Sequence, residues 1–251
     1  MSFNWSKFSA PLAFYPVAGK MIPWFSVAAA LTIAAGLYVG LLIAPTDFQQ
    51  GDSYRIIFVH VPAAWMSMFL YVVMAVWAGV GMGLNARLSF MMAQAIAPTG
   101  AMFTFLALLT GAMWGKPTWG AWWVWDARLT SELILLFQYA GVMLLRTSID
   151  DMRRADRASG VCALVGVVNI PIIYYSVQWW NTLHQGASVS MTAAPKMATL
   201  MLVAMLLMTF GFWMYSIAVV LGRVRCVILE RENLLAWNKP SPAPEVAEAQ
   251  S

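Results

Sequence analysis

Six long apolar stretches alternate with short polar segments along the chain. They lie near residues 23–44, 56–83, 91–113, 129–146, 161–178 and 199–222. Crossing a bilayer core takes roughly 20 apolar residues in a helix, so each stretch is read as a transmembrane helix. The first apolar run is too long for the core of a secretory signal and lacks a clear cleavage site, so it counts as a span. The pattern predicts an all-α integral membrane protein of six transmembrane helices. An N-terminal segment, 1–22, with Lys7, Lys20 and scattered polar groups, precedes the six-helix domain, 23–230. The domain is followed by a tail, 231–251, rich in Pro, Ala and Glu and expected to be disordered. No internal repeat is visible.

Composition agrees. The chain of 251 residues is 61% hydrophobic and 10% charged, with a mean hydropathy of +0.69. Soluble domains carry about 25% charged residues. The net charge of +4 therefore does not point to nucleic acid, because basic residues in a membrane protein mark the cytoplasmic side. An even number of spans puts both termini on one side. That side would hold eleven of the fifteen Lys and Arg residues, chiefly Arg146, Arg153, Arg154, Arg157 and those near the C-terminal end. Both termini are expected in the cytoplasm. Cys162 and Cys226 fall on that reducing side without C-x-x-C spacing, which argues against thiol–disulfide chemistry.

This topology gathers the unusual residues on one face. The stretch "WGAWWVWDARLT", residues 119–130, lies between the third and fourth spans on the outer side. The chain has two histidines. His60 sits one turn into the second span, and His184 follows the fifth, so both share the compartment of the tryptophan run. Zinc would want about four Cys, His or carboxylate ligands, and the outer face offers no Cys and only Asp47, Asp52 and Asp126 as outer-loop carboxylates. Two imidazoles beside a wide aromatic surface suit heme better, with cations for its propionates. If helical, Trp119, Trp122 and Trp123 would share a face as a flat platform, with Asp126 below and Trp125 to one side. Asp126 could equally cap the fourth span. Arg128 is a candidate partner for a propionate, and Arg55 and Lys116 are weaker ones. Glu132 reads as a helix-start residue.

The motif W-G-x-x-W-x-W-D, on Trp119, Gly120, Trp123, Trp125 and Asp126, resembles the signature of the WWD family, heme-handling membrane proteins of cytochrome c maturation. "FVHVPAAW" around His60 and "TLHQG" around His184 resemble its six-span members, over about 20–230. The resemblance implies a protein of the bacterial inner membrane that binds heme b transiently at the periplasmic face. The implied ligands are His60 and His184, and the implied heme contacts are Trp114, Trp119, Gly120, Trp122, Trp123, Trp125, Asp126, Arg128 and Arg55 within or near the WWD segment at 114–128. It further implies delivery to a heme chaperone (maturation protein E), with a small membrane protein D and an ATP-binding-cassette pair, A and B, as partners. The chain carries no triad, phosphate loop or hydrolase motif, so ATP hydrolysis is expected in a partner and the protein reads as a handling factor, not an enzyme. Three rival readings remain: a b-type electron-transfer subunit, a permease moving heme or another substrate, and a scaffold. The basic "LRTSIDDMRRADRASG" could be a docking point for the ATPase pair, or only a topological anchor.

Overall fold

A computed structural model describes residues 10–186, 189 and 194–237. The described residues form seven helices: α1 (Pro11–Tyr38), α2 (Ile57–Leu84), α3 (Arg87–Trp119), α4 (Ala127–Ser148), α5 (Met152–Gly166), α6 (Asn169–Trp179) and α7 (Thr199–Trp237). A π turn, Val39–Ile43, extends α1, and a 3-10 turn, Asp52–Ile56, leads into α2. Six helical stretches are long and apolar enough to cross a membrane, α5 and α6 together making one.

The predicted spans are all present but longer than the apolar runs that announced them. α1 starts at Pro11, inside the segment expected to precede the first span, with proline at a position where the missing N–H costs nothing. Residues 1–9 lie outside the described residues. α7 runs on to Trp237, so the expected tail is helical at its start, and 238–251 lie outside the described residues. Arg153, Arg154 and Arg157, expected in a loop, sit in the first turns of α5. Asp151 caps that helix by accepting from the Arg154 N–H at 2.7 Å.

One span is broken where the sequence reading drew it whole. α5 and α6 meet at a turn over Val167 and Val168. Pro171 cannot donate to the Val167 carbonyl, and its ring crowds that group. The Asn169 side chain steadies the break by donating to the Ser131 carbonyl at 2.9 Å.

α2 and α3 pack along each other as the centre of the bundle. α7 lies on α1 and also touches α2 and α3, while α4 packs on α3, α5 and α6. At one end a buried polar network ties the layers. Arg231 donates to both oxygens of Asp156 at 2.9 and 2.8 Å and to Gln94 at 2.7 Å. Arg146 approaches the same Asp156 at 3.4 Å. This network joins α7, α5, α3 and α4. The histidines lie at the other end of the bundle.

Candidate functional site

The packing of α2, α3 and α4 places helix-periodic residues around one small cavity. α3 contributes Ala107, Gly111 and Trp114, spaced four and three apart. α4 contributes Arg128 and Glu132, and α2 contributes His60 and Ala64, each pair four apart. Such spacing puts side chains on one helix face. Trp119, at the last turn of α3, and His184, from the segment after α6, complete the wall. The enclosed volume is about 30 Å³.

The two histidines, 124 positions apart in sequence, come together here. Their ring centroids are 6.1 Å apart and the rings are inclined by 35°. Hydrogen bonds assign the tautomer of each. His60 Nδ1 lies 3.0 Å from the Ala107 carbonyl, which can only accept. It lies 3.0 Å from Thr110 Oγ1 as well, and that hydroxyl spends its proton on the Leu106 carbonyl at 2.6 Å. His60 Nδ1 therefore carries the hydrogen. His184 Nδ1 lies 2.8 Å from the Gln185 carbonyl, with the same consequence. Each ring keeps its Nε2 lone pair, the arrangement usual for a metal-binding imidazole. Burial, and then the Arg128 charge, hold His184 below the usual histidine range, which favours this neutral form.

His60 comes close to α3 because residue 111 is glycine. A Cβ there would sit 3.1 Å from His60 Cε1. The tryptophans divide into two groups. Trp114 and Trp119 meet edge-to-face at 5.0 Å and lie 6.2 and 6.4 Å from the His184 ring. Trp114 is buried, and its indole N–H donates to Gln50 Oε1 at 2.9 Å. Trp122 and Trp125 instead are 58% and 77% exposed. Trp123 meets Trp125 edge-to-face at 5.4 Å.

This corrects the helical platform. α3 ends at Trp119, and Gly120 adopts φ +79°, a left-handed conformation that suits glycine. Residues 120–126 then run without regular structure, so Trp119, Trp122 and Trp123 do not share a helix face. Asp126 takes the capping role, accepting from the Leu129 N–H at 2.8 Å. Its other oxygen is buried without a partner among the described residues, as is the Trp123 indole nitrogen.

Arg128 lines the histidine cavity and donates to the Ile173 carbonyl at 2.6 Å. Arg55 does not line it. It pairs with Asp52 at 3.0 Å and donates to the carbonyls of Gly40 and Ala44 at 2.6 and 3.1 Å. Gly40 lies in the π turn that ends the first span and Ala44 caps it, where backbone acceptors lack helical partners. Gly120, Trp122, Trp123, Trp125 and Asp126 also stand outside the cavity wall. Trp125 and Asp126 line a separate depression of about 230 Å³ with Asn181, Thr182 and Leu183.

Sequence reading missed Glu132. It is buried, lines the cavity, and accepts from Ser67 Oγ at 2.7 Å, while its second oxygen has no partner among the described residues. Its place four residues after Arg128 was the available signal. Ala107 and Thr110, which orient His60, gave no signal at all.

Comparison with known proteins identifies the family. A family model described as heme exporter protein C matches residues 4–239. Heme exporter protein C of Escherichia coli K12 is 47% identical over 232 residues, covering 92% of this chain and 93% of that one. The protein of the same name from Haemophilus influenzae is 44% identical, covering 92% and 94%. A Marchantia polymorpha protein named a putative cytochrome c biosynthesis ccmC-like mitochondrial protein is 48% identical over 157 residues, covering 62% and 66%. The chain thus belongs to the heme exporter protein C family, the cytochrome c maturation protein C group of the WWD proteins.

Proposed function

We propose that this protein holds heme as cargo at the periplasmic face of the inner membrane, between His60 and His184, and delivers it to a heme chaperone for c-type cytochrome maturation. The observation that carries the reading is the pair of imidazoles 6.1 Å apart, each with Nδ1–H bound to a backbone carbonyl and with Nε2 lacking a partner among the described residues. With a metal–imidazole bond of about 2 Å, two rings on opposite sides of one iron stand roughly 6 Å apart, centre to centre. Trp114 and Trp119 give apolar walls, and Arg128 gives a cation for a propionate.

The cavity is far too small for a porphyrin ring. Loading must part its walls, and the two sides differ in how they are fixed. His60 is on α2 and bonded to α3. Among the described residues the His184 ring bonds only to the neighbouring Gln185 carbonyl, and Thr182 Oγ1 donates to the His184 carbonyl at 3.3 Å. The His184 segment is the side that moves. A ligand that leaves readily suits a protein that must release its cargo. Exposed Trp125 beside it, and Trp122 in the same connecting segment as Trp125, offer aromatic surface to the porphyrin face or to the receiving chaperone. A small membrane protein D and an ATP-binding-cassette pair, A and B, would complete the assembly and use the ATP.

The test is an absorption spectrum of the purified full-length protein beside His60→Ala and His184→Ala, followed by incubation with purified heme chaperone. A low-spin heme signal that each substitution weakens, and that passes to the chaperone from the wild type, is expected. Heme that survives both substitutions unaltered sinks the ligand assignment. Heme that never leaves for the chaperone sinks the delivery role and favours an electron-transfer subunit.

A further inference from the structure

At the end of the bundle opposite the histidines lies a second cavity, about 650 Å³ in volume. On α2, α3 and α4 the two cavities use different ends of the same helices. Ala78 is eighteen residues beyond His60, which is roughly 27 Å of helix. The large cavity exists because α7 packs on α1, α2 and α3, whereas α4 packs on α3, α5 and α6. A cleft is left between α4–α5 and α7, floored by α3. Its walls are mainly apolar, with Met74, Ala97 and Pro98 among them, and polar groups gather toward one end.

We propose that this cleft binds one anionic phospholipid from the leaflet on its side, with an acyl chain along α7 and the headgroup at Arg146 and Arg223. Three observations argue for that occupant. The first is length. The lining on α7 runs from Val219 to Glu230, about 16 Å at 1.5 Å per residue. Half the hydrocarbon core of a bilayer is about 15 Å. The second is charge. Among the described residues Arg146, Arg223 and adjacent Arg231 face only Asp156 and Glu230, which leaves one positive charge in excess there. Both Asp156 oxygens are already taken by Arg231. Among the described residues Arg146 engages the protein only through Nε, to Gln94 and Asp156. Its terminal nitrogens are available to a phosphate, which a guanidinium binds with good geometry. The third is space. A Cβ added at Gly222, on the α7 wall, would meet nothing within 4 Å.

Heme fits less well. It would find no imidazole, since both histidines are at the other end.

The experiment uses the full-length protein purified in mild detergent. Bound lipid is identified by mass spectrometry, and the rise in Tm is measured on adding phosphatidylglycerol or phosphatidylcholine. The wild type should retain anionic phospholipid and respond to phosphatidylglycerol alone. Gly222→Leu, which fills the open wall, should lose both while matching the Tm of wild type stripped of lipid. Arg223→Gln should retain about five-fold less lipid. Arg146→Gln should do the same; if it fails to fold, the other two variants still decide. Equal responses to both lipids, or full retention in Gly222→Leu, overturn the proposal. So does an extract in which porphyrin, not phospholipid, is what Gly222→Leu displaces.

Discussion

The helical wall of the histidine cavity and the connecting segments that close it are held in contrasting ways. On the helical side His60 is bonded to the Ala107 carbonyl and Thr110 of another helix, and Trp114 is buried and bonded to Gln50. On the segment side His184 is bonded to its own neighbour, and Trp122 and Trp125 stand in the open. Two imidazoles with the same tautomer thus differ in what it costs to move them. Displacing His60 strips two acceptors inside the bundle. Displacing His184 exchanges, among the described residues, one local hydrogen bond for water. The difference suggests an anchored ligand and a releasable one.

Substituting the two proposed ligands gives the largest expected effects. His60→Ala should lower heme retention by about 100-fold, and His184→Ala by about 10-fold, on the scale that metal sites show. The second variant should keep a weakened signal that moves from low-spin to high-spin as one axial ligand is lost. Equal losses, read by heme content per protein after size exclusion, would remove the distinction between anchor and release. Behind the ligands come the groups that orient His60. Thr110→Val leaves the Ala107 carbonyl in place, so it should cost up to about 10-fold in retention. Gly111→Ala puts a methyl against His60 Cε1 and should act in the same direction, with a shifted absorption band, while the corresponding signal in His184→Ala stays further displaced.

The tryptophans sharpen the contrast. Trp119→Ala removes an aromatic wall of the cavity, which is worth about 0.5–1.5 kcal/mol beyond area and so about two- to ten-fold in retention. Trp125→Ala removes a side chain outside the cavity and should change retention less than about two-fold, within what surface substitutions usually do. It should instead slow transfer to the chaperone. If Trp125→Ala empties the protein as Trp119→Ala does, the division of the motif into wall and exposed surface is wrong.

The sequence was informative where physics is local. Six spans follow from runs of apolar residues, because each must satisfy its own backbone in lipid. The histidine pair and the tryptophan motif were visible as residue types. What failed was geometry that depends on neighbours. The platform of Trp119, Trp122 and Trp123 presumed a helix that Gly120 ends. Arg55 looked like a free cation because the π-turn carbonyls it satisfies could not be foreseen. Glu132 looked like a helix-start acid until Ser67, 65 positions earlier, came against it. The break before Pro171 was foreseeable from the proline, but Pro62 and Pro98 lie within continuous helices, so a proline alone does not decide.

The smallest effect concerns protons. His184 is held below the usual range, by burial first and Arg128 second, while the Gln185 carbonyl and Asp126 act the other way. An unperturbed histidine titrates near pH 6.5. Because the folded value is the lower one, the unfolded chain takes up the proton first. Stability from neutral His184 is therefore full above about pH 6.5 and declines as pH falls through that value toward the folded one. Iron binding needs the same neutral ring, so heme loss should set in at a lower pH than the 6.5 at which a free imidazole is half charged. Arg128→Gln removes one of the two causes, so the onset of loss should move to higher pH. Retention at pH 8 would then fall only by what a propionate contact contributes. A titration of heme content in both proteins separates the roles of Arg128: a lower plateau with an unmoved midpoint makes it a propionate partner alone, and a moved midpoint makes it also the charge that keeps the releasable ligand ready.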